Sequence, residues 1–337
     1  MIGSANGFRV SITGLGAHVP EQVLTNDDLA RMVETSDEWI VTRTGIHERR
    51  IAGPDEALSD VALPAAREAL ERSRVRPGDL ELLICATVTP DMVFPATAAL
   101  LADELGSSDA AAYDLSAGCT GFMYALAQAY SMLASGLVRN ALVVGADVLS
   151  KIVDWTDRTT CIVFGDGAGA VVLERVESGG FIGFELGADG SGGLELYIPA
   201  GGSRAPATEG TVARGEHYVR MNGREVFKFA TRVLVSSARS LLEQTGVAVE
   251  DVDVYVPHQA NVRIIRHAVE KLGIAPERVV INVDRYGNTS SGSIPLALAD
   301  AVTEGRVRGG DLVLMTGMGA GLTWGSGLME WTEEMAA

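Results

Sequence analysis

The sequence predicts an α/β protein built from two related halves, and three observations support this. The 337 residues are 47% hydrophobic and 21% charged, which is typical of a globular protein with a substantial core. Apolar runs that suit β-strands alternate with segments of helical periodicity. The second half of the chain repeats the pattern of the first. We therefore expect layers of helices packed on sheets.

The strand and helix predictions rest on local patterns. Glycines bound the β-branched runs 141–145 and 311–315, which are typical of strands. Residues 64–72 and 227–244 have the apolar spacing of amphipathic helices. Such alternation is typical of βα units.

The internal repeat relates two particular positions. Residues 113–121 and 282–290 each read as a strand that reaches a glycine and is followed by a helix of small residues. In both halves, a second matching glycine lies 18 residues after the glycine at the end of this strand. Cys119 and Asn288 therefore occupy equivalent positions.

The repeat suggests how the chain divides. We expect a first half at residues 1–188, with an insert at about 150–164 and cap segments, and a second half at residues 217–337. Residues 189–216 are rich in Gly, Ser, Ala and Pro and lack clean periodicity, so they are interpreted as a connector.

Composition excludes several classes of protein. Lys and Arg total 27 against 44 Asp and Glu, and the net charge of −17 disfavours binding to nucleic acid. The three cysteines show neither a disulfide framework nor the spacing of a metal site, which fits a reducing cytoplasm. The N-terminus lacks the charged-then-apolar layout of a signal peptide, and no apolar run approaches the roughly 18 residues that span a membrane. We expect a soluble cytoplasmic protein without a metal or a membrane partner.

Cys119 is the candidate nucleophile. It follows strand residues and precedes the helix-like run 120–134, and the partial positive charge at a helix start lowers the pKa of a thiol. The alternative is a small buried hydrophobic residue, the commonest fate of a free cysteine. Cys85 and Cys161 lie in apolar strand-like runs and are predicted to be core residues.

Two further polar residues can join Cys119. His258 follows the strand-like run 253–257, at the edge of a sheet where α/β proteins bind ligands, although a lone histidine there is as readily structural. Asn288 by itself suits a helix cap or a turn. If the halves pack about a pseudo-twofold axis, Cys119, Asn288 and His258 meet in one pocket.

The chain order Cys, His, Asn also occurs in papain-type cysteine proteases. Their cysteine lies near the mature N-terminus in a Cys-Gly-Ser-Cys-Trp type of signature. Cys119 lies instead in mid-chain, in Ala-Gly-Cys-Thr-Gly-Phe, within a repeated α/β frame. The sequence therefore disfavours a protease.

Several motifs together resemble those of one enzyme family. Residues 116–122 (Ser-Ala-Gly-Cys-Thr-Gly-Phe), 257–261 (Pro-His-Gln-Ala-Asn) and 287–295 (Gly-Asn-Thr-Ser-Ser-Gly-Ser-Ile-Pro) resemble β-ketoacyl-acyl carrier protein synthase III. The resemblance covers nearly the whole chain, and further matches in the same order are residues 35–46, 157–158, 164–170 and 321–325. It implies a thiolase-like fold, in which two pseudo-twofold-related βα halves form a layered α/β/α/β/α core. It also implies a homodimer without a cofactor, acting on acyl-CoA and acyl carrier protein.

The resemblance implies an acyltransferase with two half-reactions. The Cys119 thiolate takes an acyl group from acyl-CoA. Malonyl-acyl carrier protein then loses CO2, and the enolate attacks acyl-Cys119 to give a 3-oxoacyl-acyl carrier protein, which initiates fatty acid synthesis. His258 and Asn288 donate hydrogen bonds to the enolate oxygen. Backbone N–H groups of Cys119 and Ala320 form the oxyanion hole, although the family often has Gly where this chain has Ala320.

The same resemblance assigns the CoA contacts. Trp39 and Arg158 are expected to sandwich the adenine, Arg43 to meet phosphate, and Asn261 to bond the pantetheine arm. Packing of Trp39 in the protein is the structural alternative. Arg224 stands where the family commonly has Asn near the pantetheine tunnel.

The remaining assignments concern the acyl group and the carrier protein. Phe94 and Phe227 are expected at the acyl pocket, Phe94 by reaching across a dimer interface into the partner's pocket. Glu270 stands where the family often has Lys, which predicts altered docking of the carrier protein. The basic residues expected to dock that acidic partner are Arg263, Lys228, Arg266 and Lys271.

Three alternatives stay open at this point. A polyketide or secondary-metabolite priming ketosynthase would use the same chemistry with another carrier. An acyltransferase of the same fold would form no carbon–carbon bond and release no CO2. A non-catalytic scaffold would leave Cys119 unreactive towards iodoacetamide.

Overall fold

The structure is a computed structural model that describes residues 9–332. The strands are β1 (Arg9–His18), β2 (Gln22–Thr25), β3 (Glu48–Ile51), β4 (Leu82–Ala86), β5 (Ala111–Leu115), β6 (Asn140–Val148), β7 (Asp166–Val176), β8 (Gly180–Ala188), β9 (Leu196–Tyr197), β10 (Arg220–Met221), β11 (Val254–Pro257), β12 (Leu312–Gly319) and β13 (Thr323–Glu330). The α-helices are α1 (Asn26–Met32), α2 (Asp37–Thr44), α3 (Leu58–Glu71), α4 (Thr97–Leu105), α5 (Gly121–Ser135), α6 (Glu209–Ala213), α7 (Gly223–Thr245), α8 (Val262–Leu272), α9 (Val283–Tyr286) and α10 (Ser293–Thr303).

Two large sheets share one pairing pattern. The first has the order β1-β7-β6-β4-β5, in which β4 is parallel to β5 and β6, and β7 is antiparallel to β6 and β1. The second has the order β8-β13-β12-β11, in which β11 is parallel to β12 and the other pairs are antiparallel. A parallel bridge between Tyr255 and Val279 stands beside β11 where β5 stands beside β4. The predicted repeat is thus present in the sheet topology.

Helices and sheets alternate in five layers. α3 and α4 pack on the outer face of the first sheet, and α7 packs on the second and on α8. Between the sheets lie α5 and α10, each of which contacts strands of both. Both central helices are largely apolar, as expected for helices packed between two sheets, and α5 exposes only the polar residues Gln128, Ser131 and Ser135. The predicted α/β/α/β/α layering is confirmed.

The chain crosses between the sheets at Gly179 and Gly180. Their φ values of 69° and 99° lie in the left-handed region that glycine adopts without strain. The next strand, β8, was predicted to belong to the first half, but it pairs with β13 in the second sheet. Strand pairing therefore favours a boundary before Gly180 rather than after residue 188. The division into halves is otherwise still a prediction, and residues 1–8 and 333–337 lie outside the described residues.

The predicted connector, residues 189–216, contains structure of its own. It carries β9 and α6, and β9 pairs with β10 in a small separate sheet. The short apolar run 194–198 supplies this strand. Within residues 9–332, no helix is long and apolar enough to cross a membrane.

Candidate active site

Cys119 lies between β5 and α5, one residue before the N-cap Thr120. The helix start was predicted from the sequence and is present. Gly118 has a φ of 57°, and a Cβ on it would lie 2.6 Å from the backbone N of Ala320, so this turn requires glycine. The turn and the Ala320 backbone are thus in direct contact. The N–H groups of Cys119 and Ala320 donate to no backbone carbonyl in the described part of the chain.

Cys119 is only 8% exposed, and the environment of its thiol differs from the prediction. Burial raises its pKa to about 12, because a thiolate in an enclosed apolar site loses its hydration. The polar side chains of Ser290 and Asn288 lower the pKa, and the charge of Asp147 adds to the rise. The predicted lowering of the thiol pKa by the helix start is therefore outweighed by burial. The Cys119 side chain is therefore a protonated thiol near neutral pH.

His258 follows β11 and is only 1% exposed. Burial lowers its pKa to about 3, so the imidazole is neutral. Its Nδ1 lies 2.5 Å from Ser293 Oγ, which also accepts the Gln259 N–H at 3.4 Å. Among the described residues the Ser293 hydroxyl has no acceptor other than Nδ1, so it donates to Nδ1, and the ring proton is placed on Nε2. Nε2 has no hydrogen-bond partner and is a free donor inside the protein.

The Asn288 side chain is also held as a donor. Its Oδ1 accepts the Ser290 N–H at 2.8 Å, which leaves the amide Nδ2 to face a ligand. Its backbone N–H donates to Val163 O at 2.9 Å, and its carbonyl accepts the Gly165 N–H at 3.0 Å. These three bonds hold both ends of the residue in place.

The surroundings of Asn288 differ from the predicted strand, glycine and helix. The helix α9 takes the place of the strand, ends at Tyr286 and is capped by Gly287, which has a positive φ of 65°. A 3₁₀ turn, Ser290–Gly292, then precedes α10. The equivalence with Cys119 holds for position, but not for local secondary structure.

One cavity of about 280 Å³ contains all three predicted polar residues. Cys119, His258 and Asn288 line it together, although 139 positions separate Cys119 from His258 in the sequence. The cavity is therefore assembled from both halves of the chain. Four other residues that were predicted to bind substrate or carrier protein also line this cavity, namely Arg43, Asn261, Arg263 and Phe227.

Trp39 and two arginines form a cluster at the edge of this cavity, which Arg43 lines and Trp39 and Arg158 do not. The Arg43 guanidinium carbon lies 4.1 Å from the centre of the Trp39 ring, and that of Arg158 lies 5.3 Å from it. Arg158 also donates to the Glu34 carbonyl at 2.8 Å. A base stacked between Trp39 and Arg158 needs a separation of about 7 Å, so Arg158 has to move outwards for such a ligand.

Asn261 has a structural task that the sequence analysis did not assign. Its Oδ1 caps α8 by accepting the Arg263 N–H at 2.8 Å, and its Nδ2 donates to the Arg43 carbonyl at 3.0 Å. It therefore joins α8 to the end of α2. The position of Arg43 at the cavity depends on this link.

A second, apolar cavity of about 240 Å³ lies beside Cys119. Phe227 was predicted at the acyl pocket, but it lines the larger cavity, where the Arg263 guanidinium lies 5.4 Å from its ring. Phe94 is 83% exposed and lines neither cavity of its own chain. The apolar cavity is lined instead by Val88, Leu149, Ile152, Phe164, Leu196, Tyr197, Ile198 and Val219, with Gly118, Cys119, Ser290 and Ala320 at the site.

The sequence analysis missed most of this apolar lining. The apolar run 194–198, within an otherwise glycine-rich stretch, was the available signal for three of these residues. Ser293, which holds His258, was also missed. Its spacing from Asn288 carried no hint of a contact with a residue 35 positions earlier.

The basic residues predicted to dock a carrier protein are exposed on α7 and α8. Lys228 forms an ion pair of 2.7 Å with Glu225, which offsets part of its charge. Glu270 is exposed on the same helix as Arg263 and Arg266, next to Lys271. The surface therefore carries both signs of charge.

Two family models match the chain. One, described as 3-oxoacyl-[acyl-carrier-protein] synthase III, matches residues 113–190, and the other, described as the C-terminal part of that family, matches residues 242–331. Cys119 lies in the first region, and His258 and Asn288 lie in the second. The matches therefore include each residue that the cavity brings together.

Known proteins resemble the chain over nearly its full length. A β-ketoacyl-[acyl-carrier-protein] synthase III from Symbiobacterium thermophilum is 60% identical over 323 residues, or 96% of this chain and 98% of the relative. The crystal structure of 3-oxoacyl-[acyl-carrier-protein] synthase III from Aquifex aeolicus is 47% identical with a TM-score of 0.89, covering 96% of this chain and 100% of that one. The priming β-ketosynthase of the R1128 polyketide pathway is 36% identical with a TM-score of 0.90, over 98% and 97% of the two chains. The chain belongs to the β-ketoacyl-acyl carrier protein synthase III family of thiolase-like condensing enzymes.

Proposed function

We propose that this protein transfers an acyl group from acyl-CoA to Cys119 and condenses it with malonyl-acyl carrier protein, with loss of CO2, to initiate fatty acid synthesis. One observation carries the proposal. A thiol and two neutral hydrogen-bond donors, Nε2 of His258 and Nδ2 of Asn288, face a single cavity. The set suits a nucleophile beside a site where negative charge develops on oxygen.

The first half-reaction uses the turn around Cys119. Attack on the acyl thioester places negative charge on the carbonyl oxygen, and the backbone N–H groups of Cys119 and Ala320 are available to bind it. Ala at position 320 is compatible with this role, because the donor belongs to the backbone. The acyl chain then extends into the apolar cavity, whose volume of about 240 Å³ suits a short chain.

The second half-reaction uses His258 and Asn288. Loss of CO2 from the malonyl thioester leaves an enolate, whose oxygen accepts the Nε2–H of His258 and the Nδ2–H of Asn288. The low pKa of His258 supports donation from a neutral ring that gives no proton to the enolate. The enolate carbon is thereby free to attack acyl-Cys119. No step of this chemistry calls for a metal or a resident cofactor.

The outer residues receive supporting roles in this proposal. Trp39 and Arg158 bind the adenine after Arg158 moves, Arg43 binds phosphate, and Asn261 contacts the pantetheine arm. The carrier protein docks on the exposed arginines and lysines of α7 and α8, namely Arg263, Lys228, Arg266 and Lys271. The exposed Phe94 supports a homodimer in which it closes the partner's apolar cavity. The enzyme would act in the cytoplasm, which the three free cysteines support.

The experiment separates the two half-reactions. Cys119→Ser should abolish acylation by acyl-CoA, and Cys161→Ala, a buried cysteine outside both cavities, should retain it. His258→Ala and Asn288→Ala should still form acyl-Cys119, but each should lower CO2 release from malonyl-acyl carrier protein by about 100-fold or more, because each removes one enolate donor.

Intact-protein mass spectrometry measures the acyl adduct, and trapping of labelled CO2 measures decarboxylation. Undiminished decarboxylation in both donor variants would contradict the assigned roles. Transfer of the acyl group without any CO2 release would indicate an acyltransferase. Turnover only with a polyketide carrier protein would indicate a priming ketosynthase, and absence of acylation would indicate a scaffold.

A further inference from the structure

A buried carboxylate, Asp147, lies next to the site and has no part in the proposed chemistry. It stands near the end of β6 and is fully enclosed. Its Oδ1 accepts hydrogen bonds from Thr87 Oγ1 at 2.9 Å, the Val88 N–H at 2.7 Å and Thr89 Oγ1 at 3.1 Å. Its Oδ2 accepts the Ser291 N–H at 3.0 Å, from the other half of the chain. Every one of these donors is neutral, and no cation pairs with Asp147 among the described residues.

Ser290 stands between this carboxylate and the thiol. Its side chain is 1% exposed, and it lines the apolar cavity together with Cys119. The N–H of the next residue, Ser291, donates to Asp147 Oδ2 at 3.0 Å, so the Ser290 side chain lies near both groups, and its hydroxyl lowers the pKa of Cys119 and of Asp147. In the resting geometry, however, Oγ has no partner at full hydrogen-bonding distance. A buried hydroxyl without a hydrogen-bond partner lowers the stability of the folded protein, so its presence calls for an explanation such as a role in the reaction.

The backbone of Ser290 is also unusual. Its φ of 50° is the one positive value at a non-glycine position in residues 9–332. Such a conformation persists where the surroundings hold it, and it is concentrated at functional sites. The Asn288 side chain accepts its N–H, and Asp147 accepts the next N–H along the chain. The turn therefore holds the Ser290 side chain at the cavity that Cys119 also lines.

We propose that Ser290 and Asp147 form a proton relay that deprotonates Cys119 during acyl transfer. As the Cys119 sulfur attacks the acyl carbonyl carbon, its proton moves to Ser290 Oγ, and the Ser290 hydroxyl proton moves to Asp147. When the tetrahedral intermediate collapses, the bond to the CoA sulfur breaks. The proton then returns from Asp147 through Ser290 to that sulfur, giving free CoA and acyl-Cys119. This inference rests on the proposed function, since it takes Cys119 as the nucleophile.

Charge conservation favours this route over transfer to water. Formation of a thiolate beside an ionised Asp147 would bury two negative charges, and this repulsion adds to the rise in the Cys119 pKa. If the proton moves to Asp147, one negative charge is buried before and after the transfer. His258 is a poor acceptor, because burial lowers its pKa to about 3. A further titratable group near Asp147 is the Cys85 thiol, whose pKa is raised by burial and by the charges of Asp114, Asp147 and Asp91.

The test uses the full-length enzyme and does not depend on acyl-CoA. The rate of Cys119 alkylation by iodoacetamide is followed by peptide mass spectrometry in the wild type and in Ser290→Gly, which removes the hydroxyl and suits a positive φ. We expect the wild-type rate to change little between about pH 6 and 8, and the variant's rate to rise about tenfold per pH unit. Asp147→Asn should show the same steep profile. Ser291→Ala, which removes a neighbouring buried hydroxyl bonded to the Gly118 carbonyl, is the matched control and should keep the wild-type profile.

A second measurement addresses the reaction itself. Single-turnover acylation by acyl-CoA should fall about 100-fold in Ser290→Gly near pH 7 and recover as the pH rises. If the pH profile of Cys119 alkylation in Ser290→Gly were parallel to that of the wild type, the relay would be overturned. The same conclusion would follow if Ser290→Gly lowered the acylation rate by the same factor at every pH. Failure of acylation in the wild type, with the alkylation profiles as expected, would reject the proposed function and leave the relay intact.

Discussion

Removal of the Ser293 hydroxyl should slow decarboxylation by a predictable factor. The hydroxyl lies 2.5 Å from Nδ1 of His258 and places the ring proton on Nε2, where the enolate is expected to bind. In Ser293→Ala, both neutral forms of the ring become accessible, and only the form with Nε2–H can donate to the enolate. Ser293 is a positioning residue in this account, since it acts through His258.

The size of the effect follows from one buried hydrogen bond. Such a bond contributes about 1 kcal/mol, and 1.36 kcal/mol corresponds to a factor of ten in rate, so we expect about a fivefold loss. This is much smaller than the roughly 100-fold or greater loss expected when the His258 donor itself is removed. Acylation of Cys119 should be unchanged, because Ser293 lines neither cavity.

Two assays check this prediction. CO2 release from malonyl-acyl carrier protein gives the rate, and ¹⁵N chemical shifts of selectively labelled histidine give the protonated nitrogen, with only five histidines in the chain. Ser11→Ala is the control, because Ser11 is a fully buried serine in β1 with an unpaired hydroxyl. Unchanged decarboxylation in Ser293→Ala would refute the reasoning. An equal loss in both half-reactions would indicate general distortion instead.

Two further predictions concern pH and CoA binding. Because burial lowers the pKa of His258 to about 3, below its ordinary 6.5, the unfolded chain binds that proton more tightly between these values, and stability falls as the pH drops from about 6.5 towards 3. His258 contributes at most about 1.4 kcal/mol per pH unit to this fall in the free energy of unfolding. Chemical denaturation at several pH values should therefore show a shallower fall in His258→Gln than in the wild type. Equal slopes in the two proteins would contradict a buried neutral ring. Trp39→Ala should raise the KM for acyl-CoA about tenfold through lost stacking, whereas Trp155→Ala, in a separate surface groove, should leave it unchanged in steady-state assays. Equal KM values in the wild type and Trp39→Ala would assign Trp39 to packing.

Local sequence patterns predicted the elements that form the repeated frame. The expected helix at 120–134 corresponds to α5 (Gly121–Ser135), the strand-like run 141–145 lies in β6, and the run 311–315 overlaps β12 from Leu312 onwards. These elements were predictable because periodicity and bounding glycines act over a few residues. The assignment of β8 was not, because a strand carries no mark of the sheet with which it pairs.

The repeat also predicted that Cys119, His258 and Asn288 meet, because equivalent helix starts converge at a pseudo-twofold axis. It did not predict where Phe227 points, since that depends on how α7 packs against Arg263 on α8. The helix start suggested an acidic thiol, yet the enclosure of Cys119 raises its pKa. Local position and burial thus had opposite effects on the same group.

The sequence by itself determined the type of fold, the family and the identity of the polar residues, because motifs and periodicity are properties of neighbouring positions. Only the tertiary structure decided the ionisation of those residues and the groups that hold them. Burial of His258, the contact of Ser293 with its Nδ1, and the approach of Asp147 to the Ser290 turn all join segments distant in the chain. The free energy of a charge depends on how completely such segments exclude water, and that is set when the two halves pack together.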